Sequence, residues 1–117
     1  MDLRNLVQAV LAGDLLAARQ WVADARRANL EWDRCDRPLG LTPREMVVAA
    51  ALTELLASRD GKAAPPWTSS IGGQVEPLFL DPGLESMPRT RELARRAGPE
   101  PLRRRNLFAS PDFLDQR

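Results

Sequence analysis

The stretch from Arg37 to Trp67, RPLGLTPREMVVAAALTELLASRDGKAAPPW, decides the fold, because it holds a helix with both ends written into it. Thr42 is a suitable N-cap, Pro43 brings the fixed φ of a first helical residue, and Glu45 stands three residues after Thr42, as a capping box requires. Met46, Ala49, Ala50, Leu52, Thr53, Leu55 and Leu56 then recur at helical spacing and share one broad face. Arg59 and Gly61 supply a positive last turn and a permissive exit. Such a face needs a partner to cover it.

Upstream, the chain offers two shorter helices. Asp2 can cap a helix whose Leu3, Leu6, Val7, Val10 and Leu11 repeat at i, i+3, i+4, i+7 and i+8. Gly13 and Asp14 interrupt it, and Asp14 can cap a second helix running to about Ala28, with Leu15, Ala18, Val22 and Ala25 on one face. So tight a turn predicts an antiparallel helical pair. Residues 29–40 read as a connector with Leu30 and Trp32 as anchors.

Downstream, the character changes. Two of the ten prolines precede Lys62 and eight follow it, which divides the chain into a helical core, residues 1–61, and a proline-punctuated segment, residues 62–117. That segment keeps Trp67, Ile71, Val75, Leu78, Phe79, Leu80, Leu84, Met87, Leu93, Leu102, Leu107, Phe108, Phe113 and Leu114, too many large apolar groups for a disordered tail. Residues 76–80, EPLFL, read as an extended piece that Pro77 confines to an edge. Met87–Ala97 reads as a short helix with Ser86 as cap and Gly98 as exit, Ser110-Pro111-Asp112 as the start of a last helical turn, and Gly72-Gly73 as a flexible turn. The expected fold is mainly α: a small three-helix core followed by an irregular, proline-rich wrapping segment with short helices.

Composition excludes many functions. With no His and no Tyr, the commonest general bases and neutral metal ligands are missing, and the lone Cys35 builds neither a disulfide nor a zinc site. No catalytic, cofactor-binding or metal-binding residues are assigned. Seventeen basic against sixteen acidic residues give a net charge of +1, so no global field marks a nucleic-acid or membrane protein. No apolar run approaches the roughly 20 residues that span a bilayer, and MDLRNLVQAVLAGD does not read as a signal peptide, so a cytoplasmic protein is expected. Locally the balance differs: between Arg89 and Arg105 seven arginines face Glu92 and Glu100, a balance of +5. These arginines can meet an acidic protein or grip phosphates.

Three resemblances bear on function. LTPRE, residues 41–45, resembles the opening of a LuxR-type helix-turn-helix, but KAAPPW follows where a recognition helix would stand, so a DNA-reading motif is discounted. Residues 9–22, AVLAGDLLAARQWV, are similar to the helix pair of an ankyrin-like repeat, and residues 40–61 resemble the start of another, though without the mid-repeat glycine. That resemblance implies a protein-binding surface and no catalysis. In overall plan the chain also resembles bacterial type II antitoxins, whose tails wrap a partner. The expectation is therefore a non-enzymatic interaction module of bacterial type that binds another protein. Trp67, Phe79, Leu107, Phe108, Phe113 and Leu114 are its expected anchors, and Arg103, Arg104 and Arg105 its charged contacts. The alternative is a nucleic-acid-binding protein that uses the arginines of 89–105.

Overall fold

Asp2, Asp14 and Thr42 each start a helix as their side chains allow. In the computed structural model, which describes residues 2–83 and 86–115, α1 spans Leu3–Leu11, α2 Leu15–Arg27 and α3 Pro43–Arg59. Asp2 Oδ1 accepts from the Arg4 amide at 2.9 Å and Asp14 Oδ1 from the Ala17 amide at 3.1 Å. Gly13 makes the α1–α2 turn at φ +74°, a conformation that costs a residue with a Cβ. The capping box is closed in both directions: the Thr42 amide donates to Glu45 Oε1 at 2.9 Å, and the Glu45 amide donates to Thr42 Oγ1 at 3.2 Å. Thr42→Ala is expected to cost about 1 kcal/mol in urea unfolding, and an unchanged midpoint would show that the box carries no stability.

α3 is the axis of the molecule. One apolar face was expected, yet Val47, Val48, Ala51 and Ala57 are buried together with Met46, Ala49, Ala50, Leu52, Thr53, Leu55 and Leu56. A helix covered on all sides needs neighbours on all sides. α1 and the 3₁₀ turn Trp32–Arg34 pack on it, and so do the 3₁₀ turn Pro66–Ser70 and α5, Glu100–Arg103, from the second half of the chain. The buried Thr53 hydroxyl is satisfied within the helix, donating to Ala49 O at 2.7 Å.

The wrapping segment therefore closes on the chain's own helices. A single hydrophobic cluster joins Leu6, Val22, Trp32 and Leu52 to Leu80, Leu102, Leu107, Phe113 and Leu114. The radius of gyration, 13.2 Å, equals the roughly 13 Å of one compact chain of this length. Leu78–Phe79 forms β1, which pairs in parallel with β2, Leu107–Phe108. Between β1 and α5, α4 spans Pro88–Ala97 and ends at Gly98.

Three local expectations are corrected. The N-cap of α4 is Met87, not Ser86: Pro88 holds the residue before it extended, while the Ser86 hydroxyl turns back and donates to Gly83 O at 2.8 Å. Ser110–Pro111–Asp112 opens a turn and no helix, with the Phe113 amide donating to Ser110 O at 3.0 Å and Leu114 at φ +58° closing it. Gly73 is a place of close backbone approach, where a Cβ would lie 2.8 Å from Arg105 Cα. Leu84, counted above among the apolar residues, lies outside the described residues.

Candidate protein-interaction surface

α5 brings the arginine run 103–105 against α3, and that placement decides what the run does. Arg105 is 4% exposed, and its guanidinium forks onto Glu54, Nη1 donating to Oε1 at 2.5 Å and Nη2 to Oε2 at 3.1 Å. It also donates to the carbonyls of Thr68 at 2.9 Å, Ile71 at 3.3 Å and Pro101 at 3.3 Å. Arg104 pairs with Glu54 as well and lies 3.8 Å from Glu100. Arg103 donates from Nε to Gly98 O at 2.7 Å. Burial pushes the Glu54 carboxyl up, but its hydrogen bonds from Arg105 and Arg104 outweigh this and hold it below the ordinary 4.5.

These three arginines are thus engaged by the chain's own groups, Arg105 in the interior and Arg104 at the surface. The same is true of Leu107, Phe113 and Leu114, which are core residues, and of the half-buried Trp67, whose ring N–H donates to Cys35 O at 2.9 Å. The spacing that suggested anchors for a partner belongs to anchors for the chain itself.

What remains outside is a different arrangement. Phe79 and Phe108, paired by the sheet register, lie 5.5 Å apart between ring centroids. The Arg95 guanidinium of α4 covers both, at 5.4 Å and 5.5 Å, within the range of a cation–π contact. Arg89, Arg91 and Arg96 stand on the same helix, and Arg96 lies 3.6 Å from Glu92. Arg95 was read as one of a charged run; no local signal paired it with two aromatics, since that depends on how α4 meets the sheet. Met87 and Leu93 add exposed apolar surface at and beside these arginines.

No family model matches the chain, and neither a curated protein nor a solved structure matches it.

A second surface feature is an open groove of about 760 Å³ whose lining includes Leu3, Trp21, Leu30 and Cys35, with Asp36 and Arg37 beside them. Burial pushes the Cys35 thiol above its ordinary value, and the nearby Asp36 and Asp33 charges act in the same direction. Such a thiol is a poor nucleophile at neutral pH. Alkylation of Cys35 by iodoacetamide at pH 7.5 is expected to run several-fold slower than that of a free cysteine peptide; an equal or faster rate would contradict this. Among the described residues no cluster of His, Cys, Asp or Glu could hold a metal ion, and no helix is long and apolar enough to cross a membrane.

Proposed function

We propose that the chain is a non-enzymatic interaction module, an accessory subunit of the antitoxin-like kind, which meets an acidic protein partner through the outer face of α4. The observation that supports this reading is the division of the arginines. Arg103, Arg104 and Arg105 are held by the chain's own carbonyls and carboxylates, whereas α4 presents Arg89 and Arg95 at its surface, with Arg95 laid on an aromatic pair and Arg96 3.6 Å from Glu92 of the same helix. Stacked guanidiniums keep their N–H edges free for carboxylates. A partner would then meet a preformed surface, which spares the entropy of ordering a tail. The single cysteine suits a reducing compartment, and we place the protein in the cytoplasm on that ground.

The same face supports a second reading, phosphate binding by α4. The two separate in one experiment: capture from an extract of the native cell with the full chain and with the Arg89→Glu/Arg95→Glu/Arg96→Glu variant, each with and without nuclease. A protein that survives nuclease and is lost with the variant supports the proposal. Recovery of nucleic acid with a steep salt dependence supports the second reading. A protein partner that the variant retains would place the contact elsewhere.

A further inference from the structure

α4 is held to the rest of the molecule by little. Of its ten residues only Ala94 is buried, whereas α1 buries four of nine. Leu93 is 44% exposed, and Met87, just before the helix, is 47% exposed. No side chain caps its first turn, unlike those of α1, α2 and α3. Arg89 stands at the positive end of the helix dipole, and Arg91 and Arg95 carry like charges four residues apart. A helix this short and this poorly matched does not hold itself together in water.

Its two ends differ. At the C-terminal end Gly98 is buried: its amide donates to Ala94 O at 3.0 Å, its carbonyl accepts from Arg103 Nε at 2.7 Å, and a Cβ there would lie 2.7 Å from Ala109 O. At the start, the Ser86 amide and hydroxyl both bond back to Gly83 O and leave the helix uncapped. Between the ends, Arg95 lays its guanidinium over the rings of Phe79 and Phe108. The Glu92–Arg96 pair joins α4 only to itself.

We propose that α4 is a lid over the Phe79–Phe108 pair, anchored at Gly98 and latched by Arg95, which lifts from its Met87 end while α1 to α3 and the sheet stay folded. Lifting uncovers two aromatic rings that the closed form keeps under a guanidinium. A surface cation–π contact shifts an equilibrium by about two- to fivefold, a grip that favours the closed form without locking it. The lid goes beyond the reading of α4 as a contact for an acidic partner, which concerns the outer face of the closed form, and it stands if that reading fails.

The test is native-state amide exchange of the full chain at rising urea, kept below the unfolding transition. The amides of residues 91–97 are expected to exchange through an opening about tenfold or more favourable than that of α3, and with little dependence on urea. Arg95→Gln keeps the helix propensity and relieves the repulsion from Arg91, so a helix indifferent to the rings would open no more often. A latch predicts about fivefold more opening. With Phe108→Leu added, the rise should fall short of the product of the two single effects, because both remove one contact. The proposal is overturned if residues 91–97 open with the same constant and urea dependence as α3, or if Arg95→Gln leaves their opening unchanged or lowers it. Single effects of Arg95→Gln and Phe108→Leu that simply multiply would overturn it as well.

Discussion

Arg105→Met is expected to destabilise the protein by about 3 kcal/mol, measured by urea unfolding. The substitution keeps the buried stem of the side chain and removes the fork, so three carbonyls, of Thr68, Ile71 and Pro101, lose a donor. It also leaves the Glu54 carboxylate with the half-exposed Arg104 as its remaining cation among these pairs. Most of that cost is the penalty of stranded polar groups, so the double variant Glu54→Leu/Arg105→Met should lose well under the sum of the two single losses. A single-variant loss below about 1 kcal/mol would mean that the pair is solvated and holds nothing.

The same pair gives acid sensitivity a sign. Glu54 lies below its ordinary 4.5 in the folded chain, and Asp2, through its hydrogen bonds from Arg4, and Glu45, through those from Thr42, are also lowered. A carboxylate depressed by folding contributes stability that is present above its unfolded value and is lost as pH falls through the folded one. Stability should therefore decline below about pH 4.5, and Glu54→Leu should flatten that decline.

Trp32→Ala is expected to cost about 3–4 kcal/mol and to lower Tm by about 10–15 °C, the cost of an indole-sized cavity in a core of this size. Trp32 is 1% exposed, lies 6.2 Å from the Trp21 ring centroid, and donates from Nε1 to Asp60 Oδ2 at 2.8 Å. Trp32→Phe separates the two contributions: it retains most of the apolar volume and removes the donor, so its loss should approach about 1–2 kcal/mol. Equal losses for the two variants would assign the whole effect to the Asp60 bond, contrary to the packing account.

Legibility followed distance along the chain. Asp2, Asp14 and the Thr42–Glu45 box act on backbone within three residues, so α1, α2 and α3 could be read with their starts. The burial of α3 on more than one face could not, because α5 and the Pro66–Ser70 turn, which pack on it, follow at long range. The same reason hid the fate of Arg105, whose partner Glu54 is 51 residues away, and of Gly73, whose role is set by the Arg105 backbone. Ser86 failed as a cap through local competition: its hydroxyl found Gly83 first. The surface left for a partner, Arg95 over Phe79 and Phe108, arises from the parallel register and the seating of α4, neither of which has a local signature.

Amide hydrogen exchange across residues 62–115 of the full chain tests the central claim, that the proline-rich half closes on its own helices. The amides of Leu78, Leu80, Gln74 and Phe113, each bonded within that half, should be protected together with those of α3. Exchange at unfolded-chain rates throughout this segment, with α1 to α3 still protected, would contradict the account and return Leu107, Phe113 and Leu114 to the service of another protein.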